Sequence, residues 1–417
     1  MQFDHVLTGP LFAPGADGNI FLTGDHERVH CAIDGSHDAD AFVAGFAETC
    51  RQHGLRLLAD IVVGRVAPHA DVAQSAPGWF HVDEPTSQRV DPRSSLRQPN
   101  AAYARFDDPV IAKEVAGWWA ERLIRLADRD VAGFRCLDPQ LVPANVWRHV
   151  IAAVQQKFPH CRFLAWTPGL AWRNVAQLKE LGFAGAFSSL PWWDGRASWF
   201  VEEHELLRTI GSVIACPEAP FGTRLARRFE DAPDQAQVYR HWLRCAVATG
   251  DGLMVPMGFE FAVSEDMDDR QTANAGFAPI GAARNLDVTA EIGEANALSE
   301  QLSGLGIAGE MRTLTDPAAP VTVLLRSDAP DVRQARSPIV VMINPDWQRE
   351  HPLPVSLDPL PAAAGASLAA EETIAADHES NVLVGGEVRI LARARPSRSN
   401  HGAPISGRRS SRRRRAL

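Results

Sequence analysis

Val131-Ala132-Gly133-Phe134-Arg135-Cys136-Leu137-Asp138 reads as a short strand, apolar on both faces, that runs out into polar residues at its end. Six further runs of this kind lie around it: Asp4 to Leu7, Leu55 to Val63, Arg162 to Trp166, Gly185 to Leu190, Ser212 to Cys216 and Gly252 to Met257. Helical patterns separate them, over Asp38 to His53, Pro109 to Asp128, Pro143 to Phe158, Val175 to Leu181 and Ala232 to Thr249. Seven strands alternating with helices predict a parallel sheet with crossovers. Polar and aromatic residues at the strand ends mark the face on which such barrels carry their sites.

The chain has 417 residues, 45% hydrophobic and 22% charged, enough for one large core or two smaller ones, which excludes collagen, coiled coil and whole-chain disorder. Only Lys113, Lys157 and Lys179 are lysines, and the arginine excess reads as codon bias rather than chemistry. Ser397 to Leu417 carries seven arginines and no acid, so the first 396 residues hold 35 basic against 51 acidic side chains, net -16. The six cysteines lie no closer than 19 residues apart, with no C-x-x-C ligand pair and no dense disulfide framework, so a reducing cytoplasm is the expected setting. No leader pattern opens the sequence, and no uncharged apolar stretch reaches the ~18 residues that span a bilayer.

From about Ala308 the character changes to Val321-Thr-Val-Leu-Leu325, Ile339-Val-Val-Met-Ile343 and Val388-Arg-Ile-Leu391, bounded by Pro, Gly and Asp. This predicts a small β-sandwich with a long Ala/Pro-rich loop over Pro359 to Ala370. The expected organisation is a (β/α) barrel over 1–307, an all-β sandwich over 308–396 and a disordered Arg-rich tail over 397–417.

The strand-end motifs, in this order, resemble the α-amylase barrel of glycoside hydrolase family 13, and in detail its maltosyltransferase branch. The matching stretches are Phe3 to Leu7 with Pro10 and Pro14-Gly15; Gly54 to Asp60; Pro77-Gly-Trp-Phe-His81; Gly133 to Cys136; Phe163-Leu-Ala165; Pro191-Trp-Trp-Asp194; Gly258-Phe-Glu260; and Asn344-Pro-Asp346. The resemblance covers about residues 3 to 395 and implies a TIM-type (β/α)8 barrel that begins at about its second strand. A leading domain and first strand are then expected to be missing or supplied by another chain. The implied parent activity moves maltosyl from α-maltose 1-phosphate to an α-1,4-glucan with retention, without cofactor or metal, as in glycogen biosynthesis.

Retention needs a carboxylate nucleophile and a carboxylic acid about 5–5.5 Å apart. By resemblance the nucleophile stands two residues after Arg135, on the same face because strand side chains alternate, and that position holds Leu137. Asp138 is one residue later and points to the opposite face unless a bulge re-aims it. The acid/base position is Trp166, whose indole has no proton to give near neutral pH. At the third acidic position Glu218 replaces an aspartate. A lysine pair that would meet a sugar phosphate becomes Ala101-Ala102, while Tyr103 is kept.

Asp60 serves either as a substrate contact or as a carboxylate hydrogen-bonded inside the barrel mouth. Arg135 either holds a carboxylate in the cleft or pairs with Asp60 or Glu218. Trp192-Trp193 offers a sugar-stacking platform or core packing. Glu202-Glu203-His204-Glu205 reads as a solvated helix face or loop near the cleft, from which Glu202 or Glu203 would be a substitute proton donor.

His26-Glu-Arg-Val-His30 matches H-E-x-x-H, but only about two helical turns fit between its flanking Gly-Asp pairs, and Ile33 and Ser36 stand where a third ligand motif needs Gly and His. No metal is expected. The tail arginines lack interleaved aromatics, and nucleic acid is not expected as a partner. Three readings remain: a non-catalytic homologue that binds α-glucan or a malto-oligosaccharide, a sugar phosphate or a companion chain, with homo-oligomers allowed; an active enzyme using the displaced carboxylates Asp138 and Glu218; or a truncated gene product.

Overall fold

The computed structural model describes residues 1–30, 38–82, 91, 93, 101–265, 286–304, 309–329, 335, 338–353 and 382–392. Seven parallel strands form one sheet in chain order: β1 His5–Thr8, β2 Arg56–Ile61, β3 Val131–Cys136, β4 Arg162–Ala165, β5 Gly185–Phe187, β6 Ser212–Ala215 and β7 Gly252–Leu253. All seven expected runs become strands, which builds the greater part of a (β/α)8-type barrel.

Strand alternation divides the side chains into two clusters. Leu57, Ala59, Ile61, Phe134, Cys136, Phe163 and Ala165 face outward onto the helices. Leu58, Val62, Leu137, Leu164, Trp166, Phe187 and Cys216 face inward, with Ala132 and Ile214 packed against them. Gly133 lies where β3 and β4 approach so closely that a Cβ would collide with the Arg162 carbonyl.

The covering helices include α1 Ala39–Gln52, α2 Pro109–Asp128, α3 Ala144–Lys157, α4 Trp199–Arg208, α5 Gln235–Thr249 and α6 Thr289–Gly304. Asp38, Asp108 and Asp234 cap α1, α2 and α5 by accepting from first-turn N–H groups. Two segments differ from the sequence expectation. The helix expected over Val175 to Leu181 is instead Trp172–Ala176, and positive φ at Glu180 (60°) and Gly182 (99°) turns the chain into β5. The acidic stretch at 202–205 is helical within α4, but Glu203 and His204 are buried rather than solvated.

Between the barrel strands lie an antiparallel ribbon of Phe12–Pro14 with Thr23–Val29, and a three-stranded antiparallel sheet of Arg65–Val66, Ala102–Ala104 and Phe80–Val82. After the barrel, β8 Glu310–Thr313, β9 Thr322–Ser327, β10 Ile339–Ile343 and β11 Val388–Ala392 form an antiparallel sheet. One face, with Leu324, Val341 and Ile390, packs on the α5 side of the barrel. The other, with Val323, Leu325 and Met342, gathers Leu383 of a two-stranded ladder. The expected loop at Pro359 to Ala370 and the tail beyond Pro396 lie outside the described residues.

Candidate functional site

Asp60 and Arg135 are register partners on β2 and β3, and both side chains point into the barrel. The guanidinium donates through Nε and Nη2 to the two carboxylate oxygens, each at 2.6 Å. Burial raises the Asp60 pKa, and the guanidinium opposes that rise. Three rings enclose Arg135: Trp166 and Phe221 at 5.1 Å and Phe187 at 5.6 Å from its central carbon. Its Nη1 lies 3.6 Å from the Met254 sulfur.

Leu137 and Trp166 close this space from the same inner face, and both are buried. Trp166 packs on Phe187 and meets Phe221 edge-on. Burial also pushes the Cys216 thiol up to about 12, so it stays protonated and is no nucleophile near neutral pH.

The remaining acids are held elsewhere. Asp138 leaves the strand in the left-handed conformation (φ 45°, ψ 51°), and its Oδ2 lies 2.5 Å from Nη1 of buried Arg65, in the three-stranded sheet. Glu218 is buried, accepts from the Leu225 N–H at 2.5 Å and pairs with Arg224 at 3.2 Å. Asp60, Asp138 and Glu218 are thus bound to three different arginines on three different parts of the chain. Glu203 accepts from the Ser189 N–H and hydroxyl at 2.8 and 2.6 Å, and burial raises its pKa despite those bonds.

Trp192 and Trp193 diverge. Trp192 is half-buried against the barrel-interior cluster, whereas Trp193 stacks on Phe200 at 4.5 Å and donates to the Ala197 carbonyl. Tyr103 pairs in register with Arg65 and His81 in the three-stranded sheet, half-buried.

This architecture has known counterparts. An α-amylase from Geobacillus thermoleovorans complexed with acarbose superposes with TM-score 0.66 at 14% identity, covering 94% of this chain and 88% of the other. A trehalose-6-phosphate hydrolase from Bacillus licheniformis gives TM-score 0.67 at 10% identity, covering 93% and 92%. In sequence the chain is 35% identical over 365 residues to an α-1,4-glucan:maltose-1-phosphate maltosyltransferase from Burkholderia pseudomallei. The fold is that of the α-amylase family. The match covers 87% of this chain, but the chain spans only 32% of that relative's length, and no family model matches.

Several residues around this barrel interior escaped the sequence reading. Arg65 comes from a two-residue strand and Arg224 and Phe221 from the segment after β6, and nothing in their local pattern pairs them with Asp138, Glu218 and Arg135. Trp172, 48% exposed, opens the short helix that follows β4, and Met257, 67% exposed, lies in the segment after β7. An exposed tryptophan followed by a helix start was readable as a rim residue of the barrel.

The H-E-x-x-H motif lies on the strand Thr23–Val29 and its end, not on a helix. Four residues of extended chain separate His26 from His30 by about 13 Å, too far for one metal ion. His26 is packed among Phe12, Trp118 and Trp119, and burial lowers its pKa well below the ordinary value. Among the described residues no group of three or more His, Cys, Asp or Glu side chains could hold a metal ion. None of the described helices is long and apolar enough to cross a membrane.

Proposed function

We propose that this chain acts in α-glucan metabolism as a non-catalytic homologue of the maltosyltransferases, binding an α-glucan across the barrel mouth without transferring sugar. The carrying observation is that each candidate carboxylate is bound to its own arginine: Asp60 to Arg135, Asp138 to Arg65 and Glu218 to Arg224. A retaining reaction needs two carboxyl groups facing one anomeric carbon, and these three are each turned to a different arginine. Leu137 and Trp166 fill the inner face beside Arg135 with apolar volume, which disfavours a polar sugar there.

In this reading the aromatic faces for the C–H side of a glucose ring are exposed Trp172, at the start of the helix after β4, and half-buried Trp192, packed on the barrel-interior cluster. In this reading residues 1–307 form the barrel domain and 308–396 the β-sandwich domain. Isothermal titration with maltoheptaose tests the reading: wild type binds, and Trp172→Ala weakens binding about tenfold, the order of one aromatic stacking contact. Absence of any oligosaccharide binding would remove the glucan from the proposal.

A further inference from the structure

His204 is buried on α4, where that helix meets the end of α5 and the first strand of the C-terminal sheet. Its Nε2 lies 3.0 Å from the carbonyl of Thr249, the last residue of α5, and its Nδ1 lies 3.2 Å from Oε1 of Glu205. That Oε1 also accepts from the N–H of Met311 on β8 at 2.7 Å, and Oε2 accepts from Arg208 Nη1 at 2.7 Å. Glu205 thereby fastens the C-terminal sheet to the barrel. It is half-buried, so its carboxylate has water to turn to.

Both ring nitrogens thus face oxygens that only accept. A neutral imidazole has one N–H and one lone pair, so it serves one of them and opposes the other. The Thr249 carbonyl belongs to the last turn of α5, where carbonyls have no intrahelical donor, and it takes the N–H at Nε2. The Nδ1 lone pair then points at a carboxylate oxygen 3.2 Å away. That contact becomes a hydrogen bond only when the ring carries a second proton.

Among the described residues, the charged groups that bear on the ring are Glu205 with Arg208 behind it, Asp251 and Arg326. Asp251, in the turn before β7, accepts from the Val213 N–H of β6 at 2.8 Å and from Arg326 Nη2 of β9 at 2.7 Å. Arg326 also donates to the Ala248 and Gly250 carbonyls at 3.1 and 3.2 Å. Glu310 and Arg312 of β8 alternate onto the face opposite Met311. Burial, with Arg326, holds the His204 pKa below 6.5, while Glu205 and Asp251 work against them. The second proton therefore arrives on acidification below pH 6.5.

We infer that His204 and Glu205 form a proton-operated latch between the barrel and the C-terminal sheet. With one proton on the ring, the Nδ1 lone pair repels the carboxylate and the hold on β8 is slack. A second proton, taken from solvent onto Nδ1, converts that repulsion into a charge-assisted hydrogen bond. The carboxylate is then held by His204, Met311 and Arg208 together, and α4, α5 and β8 are tied through one ring. Loading still costs global stability, which falls as pH drops from 6.5 through the lower folded-state pKa, so the tightening is local to the junction.

NMR of protein isotope-labelled at its methionine amides tests this, since the chain has six methionines and the Met311 signal is identified by its loss in Met311→Leu. In wild type that amide is expected to shift in a step below pH 6.5, before Glu205 itself protonates. Its exchange with solvent, corrected for the intrinsic pH dependence, is expected to slow across the same step. In Glu205→Gln the step is expected to need about tenfold more proton, because the charge that favours loading is gone. His204→Gln is expected to remove the step; should that variant fail to fold, the displacement in Glu205→Gln decides alone. A Met311 amide that stays still until the carboxylate titrates overturns the latch. So does an unaltered midpoint in Glu205→Gln, or exchange that quickens on loading.

Discussion

Asp60 and Arg135 face each other from neighbouring parallel strands and close a two-pronged ion pair inside the barrel, both N···O distances being 2.6 Å. The pair is sealed by Trp166, Phe187 and Phe221. An arginine at this point could orient a reacting carboxylate; here it is committed to one that supports the fold. This relationship sets the tone of the site, in which charge is neutralised within the chain and apolar side chains exclude water.

Breaking that pair leaves an uncompensated charge in a dry interior. Asp60→Asn is expected to destabilise the protein by about 3–5 kcal/mol, read from urea unfolding. The joint change Asp60→Leu with Arg135→Met is expected to cost less than Asp60→Asn alone, because it removes both charges. A joint cost larger than the single one would mean that the pair contributes net stability beyond mutual neutralisation.

Glu218→Gln keeps an oxygen for the Leu225 N–H and loses the charge facing Arg224. The expected loss is about 2 kcal/mol by thermal or urea unfolding, with oligosaccharide binding unchanged. Loss of binding with unchanged stability would instead put Glu218 in contact with ligand.

His241 gives the stability a pH dependence of known sign. Burial lowers its pKa from 6.5 to about 4, so on acidification the unfolded chain takes up the proton first. The stability held by the neutral ring is fully present above pH 6.5 and is lost as pH falls from there to about 4, on the order of 3 kcal/mol in all. Asp60 and Glu203, with raised pKa values, act in the opposite sense, losing stability as pH rises through their range. The His241 contribution is therefore read as the difference between wild type and His241→Gln across that window, and parallel pH curves for the two would contradict it.

Zinc added in excess is expected to leave the melting temperature unchanged, as is a chelator, since His26 sits in a strand among aromatic rings. A ligand that binds only the native state raises that temperature by mass action, so a zinc-dependent rise abolished in His26→Phe would establish a metal site.

Much of this arrangement is legible in the sequence, and the limits have physical causes. The apolar runs at 131–136 and 55–63 announce buried strands, and alternation then puts Leu137 and Trp166 on the inner face with Arg135. Strands of two or three residues, such as Arg65–Val66, carry no periodicity to read. Glu203 and His204 look solvent-facing by residue type, yet Ser189 and the Thr249 carbonyl satisfy them in the interior. Helix α6 lacks a clear apolar stripe, its alanines and glycines being spread around the helix. The arginine partners of Asp138 and Glu218 are set by tertiary structure, where short-range pattern has nothing to say.

The central claim is that no pair of carboxylates here performs glycosyl transfer. Incubating the purified protein with maltose 1-phosphate and maltoheptaose and measuring released phosphate addresses it most directly. The account predicts release at the rate of a protein-free control, unaltered by Asp138→Asn or Glu218→Gln. Release well above that control, abolished by either substitution, would contradict it and establish a displaced catalytic pair.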